Sequence, residues 1–417
     1  MFHIKYLLAF LFLFGPVFCI GQDTLRVSMD TADKIFLQKN LMMVAAQMNV
    51  DAQKAQEIQA RLYPNPQFTV GVNTYDSQNK KLFYAGSNGE KSFEFDQLIL
   101  LGSKRKNLTG LAKQNTQQAQ LGMEDLMRNL KYQLHNDLLS LYFDLLTVHQ
   151  YNQHLQKLDS IITGYQEQAN KGNIALKDVV RLKTAYMSLN NDRTELLNNI
   201  EEEQKELRLL LQTNQFVLFQ FDDAAGSKYE QLPILDSLQN LALRHRSDLK
   251  EAVLNKSIAD LNIRYQKSLA VPDLSLGASY DQRGGAFNNQ YLLTFGIPLP
   301  FWNRNQGNIK SAQIQSKIAD VGRQQQQLTV SGEVTAAWSN MQRSISDYLK
   351  TIKMYSADFN TVFEGMTANF LKRNISILEF VDFFESYNSG IAEVNRVKKQ
   401  LALSGESVNY VVEFPVY

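Results

Sequence analysis

From Gly102 to Leu211 the chain contains no proline, and its apolar residues return at alternating steps of three and four. Proline is kept out of helix interiors by its missing N–H and its clash with the preceding turn. Leu134, Leu138, Leu141, Leu145 and Val148 keep the step, followed by Leu155, Leu158, Ile162, Tyr165 and Ala169. A repeat averaging 3.5 residues lays one apolar seam along a helix and packs it against other helices. If Ser103 to Asn170 is one helix, at ~1.5 Å per residue it reaches ~100 Å, several times an ordinary globular helix. The pattern recurs in Asn303 to Val412, where Trp338, Met341, Ile345, Tyr348, Ile352, Tyr355, Phe359, Val362 and Met366 hold the same step. The reading there is a second uninterrupted long helix.

The two halves are copies. Asn40 to Met43 aligns with Arg246 to Leu249 and Pro66 with Pro272, at an offset of 206; Leu101-Gly102 aligns with Trp302-Asn303 and Asn173-Ile174 with Asn374-Ile375, at an offset of 201. The change of five residues falls between Pro66 and Leu101, where a loop tolerates it. Each half reads as helix, two strands, long helix, turn, helix. The division expected is 22–215 for the first repeat, with a hairpin at 67–100 and a long helical hairpin at 102–212. A linker at 216–233 follows. The second repeat is 234–417, with a hairpin at 273–300 and a helical hairpin at 303–412. Thr31 to Arg61 reads as one helix, with Ser28 or Asp30 as its N-cap.

The strands alternate. Phe68, Val70 and Val72 oppose Gln67, Thr69 and Gly71, and Phe93 and Phe95 oppose Ser92, Glu94 and Asp96. In the second copy Leu274, Leu276, Ala278 and Tyr280 share a face, and Tyr291, Leu293, Phe295 and Ile297 line the returning strand. Alternation over this length suits a membrane β-barrel and also an ordinary half-buried sheet. Four strands cannot close a barrel, and open edges do not sit in lipid. Closure by three chains gives twelve strands, within the known range of outer-membrane barrels, and the long helices then continue the barrel as a tube.

At the N-terminus, Lys5 precedes an apolar run from Tyr6 to Phe14 and a small-residue exit near Gly21. That reads as a secretory signal peptide over residues 1–21. Past residue 20 no apolar run reaches the ~18–20 residues a membrane helix needs. Cys19 is the one cysteine; the bulky Phe18 before it argues against a lipidated cysteine, and cleavage after Gly21 leaves no disulfide and no thiolate site. With 43 basic and 42 acidic residues the chain has no field for nucleic acid. His135, His149, His154 and His245 lack the spacing of a metal pair, so no metal or cofactor is expected. Met42, Met43 and Met48 read as helix-core packing rather than soft ligands. No nucleophile motif, phosphate loop or dinucleotide fingerprint is present, and an enzyme is not expected.

Helix, hairpin, long helix and helical hairpin, duplicated after a signal peptide, resemble the TolC-type outer-membrane efflux family over nearly the whole mature chain. Two stretches are more specific. Tyr63-Pro64-Asn65-Pro66 with Gln97-Leu98-Ile99-Leu100-Leu101-Gly102-Ser103-Lys104-Arg105 is similar to the cation-efflux (CzcC and CusC-like) branch, and so is Phe295 to Gly307. The branch carries an acidic residue where Leu100 stands and glycine where Ser103 stands. The resemblance implies a mainly α protomer with a four-stranded β contribution, in which long antiparallel coiled-coil helices and two β-hairpins complete a 12-stranded barrel in a homotrimer. It implies an outer-membrane location with a long periplasmic extension, in contact with outer-membrane lipid. The function implied is the passive exit duct of a tripartite pump, with a periplasmic adaptor and an inner-membrane RND-type transporter as partners. Heavy-metal cations are the favoured cargo, with drugs or organic solutes as the other class. Asp178, Glu379 and Asp382 fall where the family places acidic residues at the periplasmic entrance, while Ile375 takes the position of TolC's gating arginine. Lys104, Arg105 and Arg304 are expected near lipid headgroups. The rival reading is a secreted periplasmic coiled-coil scaffold with a small β-domain.

Overall fold

A computed structural model of the chain describes residues 23–77, 79–221, 226–284, 287–355 and 358–417. Residues 1–21, read as a signal peptide and including Cys19, lie outside the described residues. Strand β1 (Thr24–Val27) leads into helices α1 (Met29–Lys39) and α2 (Leu41–Arg61). Strand β2 (Gln67–Val72), the short β3 (Tyr75–Asp76) and β4 (Lys81–Leu82), and β5 (Glu90–Ile99) make the first hairpin region. Helices α3 (Lys104–Asn170) and α4 (Leu176–Leu211) follow, then strand β6 (Phe216–Phe219). The second half has α5 (Leu235–His245), α6 (Ser247–Leu269), β7 (Leu274–Arg283), β8 (Phe287–Gly296), α7 (Gln306–Met354), α8 (Asp358–Leu371) and α9 (Ile377–Val412).

Helix α3 is unbroken for 67 residues, ~100 Å. Its seam residues Leu134, Leu138, Leu141, Val148, Leu155, Leu158 and Ile162 are all buried. Its counterpart is not continuous. α7 ends at Met354, where Tyr355 leaves helical geometry at ψ 85°, and α8 begins at Asp358. Beyond the break the seam is rephased: Phe363 and Phe370 are buried, and Val362 faces out.

The helix expected over Thr31 to Arg61 is also two helices. Asn40 adopts φ −63°, ψ 120°, and its Oδ1 accepts from the N–H groups of Met42 and Met43, starting α2 anew. Ser28 caps α1 through the Thr31 N–H. In the second copy Arg246, with φ −58° and ψ 120°, breaks α5 from α6 at the aligned position.

The stretch read as linker carries β6, which pairs in parallel with β1, from Thr24 opposite Phe216 to Val27 opposite Phe219. Buried Gln204 on α4 fastens this strand by donating to the Val217 carbonyl at 2.7 Å and accepting from the Val217 N–H at 2.9 Å. Around it lies the larger of two cores, with Phe36, Leu134, Leu138, Leu207, Val217, Val334, Met341 and Val408. The second core lies toward the helix turns and is aromatic: Phe363, Phe370, Phe380, Phe384 and Tyr387 pack on Leu158, Leu182 and Leu189. Phe370 and Phe380 stack at 4.1 Å.

Candidate functional site

The four long strands form one antiparallel sheet in the order β2-β5-β7-β8. Register decides what its faces carry. Phe68, Phe95, Ala278 and Leu293 lie in one row across the sheet, and Val70, Phe93, Tyr280 and Tyr291 in the next. Because side chains alternate along every strand, these two rows share one face, and all four strands contribute to it. That face is uncovered: Tyr291, Leu293 and Phe295 are 80%, 76% and 75% exposed. Phe68 and Phe93 stack along it at 6.4 Å. The opposite face is mainly polar, with Thr69, Glu94, Ser279 and Leu292 in one row and Gln67, Asp96, Gly277 and Thr294 in another. Gly277 lets the neighbouring side chains close over it, since a Cβ would meet Asp96 Oδ1 at 2.4 Å and Thr294 Oγ1 at 2.3 Å and push them aside.

The helices beneath repeat this order. α2 packs on α3, α3 on α6, and α6 on α7. Each strand thus continues into the helix of the same rank, and both layers end in open edges: β2 over α2 on one side, β8 over α7 on the other. The open helices present apolar residues. Leu41, Met42, Met48 and Ile58 are exposed on α2, as are Ile314, Ile318, Val321 and Leu328 on α7. Of the methionines expected in the helix core, only Met43 packs on it; Met42 and Met48 face out because α2 is an edge helix.

The sheet-to-helix junction is stapled by charge. Lys104 is buried, not free near headgroups, and its Nζ lies 2.6 Å from Asp273 Oδ1 across the two repeats. The same oxygen accepts from the Leu101 N–H at 3.0 Å. Arg105 stacks on the Tyr63 ring at 3.7 Å, and Arg304 donates to the Pro300 carbonyl at 3.2 Å. Trp302 is 88% exposed at the end of the second hairpin.

At the far end, the two helical turns have the same construction. Asn173 donates its N–H to the Gln168 carbonyl and its side-chain amide to Gln168 Oε1, both at 2.9 Å. Asn374 does the same to Asn369 at 2.9 and 3.1 Å. Gly172 and Arg373 hold the left-handed position, at φ 79° and 62°. Asp178 lies in the first turn of α4, and Glu379 and Asp382 lie near the start of α9, exposed. Glu379 has a local task that its charge concealed. With Ser376 it forms a capping box: its Oε2 accepts from the Ser376 N–H and Oγ, each at 2.8 Å, and its N–H donates to Ser376 Oγ at 3.2 Å. The Ser376 backbone hydrogen bond holds its carboxyl below the usual carboxylate range. The Ser-x-x-Glu spacing was the readable signal.

His135 and His154 are buried and spent on packing. His135 bridges Asp33 and Glu406, each at 2.9 Å, and His154 Nδ1 meets Asn388 Oδ1 at 2.6 Å. Among the described residues no group of three or more His, Cys, Asp or Glu could hold a metal ion, and no helix is long and apolar enough to cross a membrane.

The outer membrane efflux protein family model matches residues 238–382, from α5 through the second hairpin into α9. No curated protein matches the sequence. The fold is shared with solved outer-membrane channels. CusC, described as undergoing conformational changes on folding and transmembrane channel formation, superposes with TM-score 0.76 at 16% identity, over 92% of this chain and 91% of that one. The CmeC outer membrane channel of Campylobacter jejuni gives 0.71 at 13% identity, over 92% and 85%. The open state of the Neisseria gonorrhoeae MtrE channel gives 0.69 at 14% identity, over 93% and 89%. The class defined is that of a mainly α-helical protomer with the fold of these channels.

Proposed function

We propose that the chain is one protomer of an outer-membrane channel of the TolC type, the passive exit duct of an efflux pump. The observation that carries this is the coincidence of open edges. The strand order β2-β5-β7-β8 and the helix order α2-α3-α6-α7 expose matching edges at the same two sides. A second copy placed with its α2 and β2 against α7 and β8 satisfies both layers at once, and repetition of that step closes a ring. Two copies give eight strands, whose interior side chains fill; three give twelve and leave a lumen. The apolar face then meets lipid and the polar face lines the passage. The helices continue the wall as a coiled tube into the periplasm, with the turns at 171–175 and 372–376 at its mouth. Such a duct carries out no catalysis. It needs a periplasmic adaptor and an inner-membrane transporter, of the RND type on the resemblance.

Heavy-metal cations remain the favoured cargo. The support is the cation-efflux motifs and a lumen face that bears Glu94 and Asp96, with Asp281 beside them paired to Arg283, since acidic linings favour cations. Asp178, Glu379 and Asp382 extend that reading to the mouth. Loss of the gene is expected to sensitise cells to copper, zinc or cobalt more than to dyes and antibiotics; the reverse pattern would replace metals by organic solutes. The channel reading itself is tested by extraction. The protein should require detergent and run at three mature chains, with conductance in bilayers. A water-soluble monomer without conductance would leave the scaffold reading.

A further inference from the structure

A groove of about 440 Å³ lies between the end of α2 and the start of α3, immediately below the sheet. Arg61, Arg105, Lys106 and Lys113 line it, with Thr109 and Gly110, and no carboxylate is among them. Arg61 is paired with Glu57, one turn back on α2, at 3.4 Å, which leaves Arg105, Lys106 and Lys113 without a carboxylate partner in the groove. Like charges gathered round one cavity repel each other, and an anion between them removes that cost.

The set is also positioned. Arg105 donates from Nη1 to the Arg61 carbonyl at 3.1 Å and lies flat on Tyr63, so its planar fork is fixed in advance. Thr109 Oγ1 holds the same helix end through the Ala60 carbonyl at 3.1 Å. Lys106 and Lys113 stand two turns apart on one face of α3 and make no ion pair or hydrogen bond with the described residues. A fixed guanidinium beside free ammonium groups matches a phosphate, which accepts from a fork and attracts point charges. Depth supplies the second argument. Arg61 precedes β2 by six residues and Lys104 follows β5 by five, so the groove sits where the apolar face ends, at the level of headgroups.

We propose that this groove binds a phosphate oxyanion, and that a phosphodiester of the membrane's inner leaflet supplies it. The lipid source rests on the channel reading; the anion site does not.

The test uses the full-length protein in detergent, native mass spectrometry with phosphatidylglycerol or diacylglycerol, and calorimetric titration with inorganic phosphate. Wild type should retain phosphatidylglycerol and not diacylglycerol. Lys106→Gln with Lys113→Gln, which breaks no internal contact, should weaken that retention roughly tenfold or more with the oligomer mass unchanged. Competition by millimolar phosphate would identify a free anion as an equal source; its failure to compete would identify the lipid. Equal retention of phosphatidylglycerol by both proteins, with no phosphate binding to either, would overturn the proposal. A protein that proves monomeric and water-soluble, yet binds phosphate through these lysines, would sink the channel reading and keep the site.

Discussion

Asn40 donates from its side-chain amide to the Leu210 carbonyl at 3.1 Å, and Arg246 reaches the Val411 carbonyl at 3.4 Å in the aligned place of the second copy. The same joint, where a helix breaks and its side chain grips the end of the returning long helix, is built twice from different residues. Both long helices end just beyond it in a left-handed residue, Gln212 and Glu413.

Asn40 serves two ends at once, so its loss should be felt. Asn40→Ala removes the cap of α2 and leaves the Leu210 carbonyl without its partner. The expected cost is about 1–3 kcal/mol, read as a lower midpoint in denaturant. An unchanged midpoint would show that the break is held by packing alone.

Lys104 and Asp273 fix sheet to helix. Lys104→Met leaves Asp273 facing a poorly hydrated junction, at a cost of about 3 kcal/mol. Adding Asp273→Asn removes the stranded charge while keeping an acceptor for the Leu101 N–H. The double variant should therefore recover part of the loss in thermal melts; strictly additive losses would show that the pair is not coupled.

Stability should fall as pH rises from about 5–6 to 8.5, by ~1 kcal/mol per pH unit for each proton released on unfolding within its titration range. Burial opposes the charge of His135, but hydrogen bonds to Asp33 and Glu406 and their charges hold it above its ordinary value. Its contribution is complete below about pH 6.5 and is lost as pH passes the raised native value. Burial likewise opposes charge on Asp33 and Glu406, yet His135 keeps both below the carboxylate range. Their part is present above about pH 4 and is lost in acid. Glu203 works the other way: burial first, then the Asp144 charge, push it up to about 8, and burial near Glu206 pushes Asp137 to about 7. Ionising these two in the folded state costs stability as pH rises. Glu203→Gln should flatten the decline in melting temperature above about pH 6, and a wild-type profile that rises toward pH 8.5 would contradict this account.

Glu379 separates cap from charge. Glu379→Gln preserves the capping box and deletes the charge; Glu379→Ala deletes both. If the acids surround the mouth, Glu379→Gln with Asp382→Asn should lower cation selectivity in single-channel recordings without lowering the melting temperature. Glu379→Ala alone should lower the melting temperature. Unchanged selectivity would reduce Glu379 to its role at the helix start.

What the residues disclosed and what they hid have distinct physical origins. α3 was legible because 3–4 spacing and the absence of proline act over many turns and leave no alternative. The apolar rows of the sheet were legible because register follows from alternation once the strands are placed. The breaks at Asn40 and Arg246 were hidden, since neither carries proline or glycine and each rests on a hydrogen bond to a distant carbonyl. The interruption at Tyr355 was hidden by an apolar step that continued through it. The pairing of β1 with β6 was hidden because four-residue strands joined across most of a repeat leave almost no local signal. Lys104 was placed at the sheet-to-helix junction, but its ion pair was hidden because Asp273 comes from the other repeat. Asp178, Glu379 and Asp382 were placed by family resemblance, and only the capping role of Glu379 could have been read from spacing.

The most direct measurement is disulfide capture across the two open edges. Cys19 is the one cysteine of the sequence, so with Cys19→Ser in place pairs combining one position in Gln67–Val72 with one in Phe287–Gly296 report only designed contacts. Those two strands are not neighbours within one chain. At the matching register, oxidation of membrane-embedded protein should yield a covalent ladder that stops at three chains, and reduction should return the monomer. A panel covering every register that yields only monomer, or a ladder without an end, would contradict the closed ring.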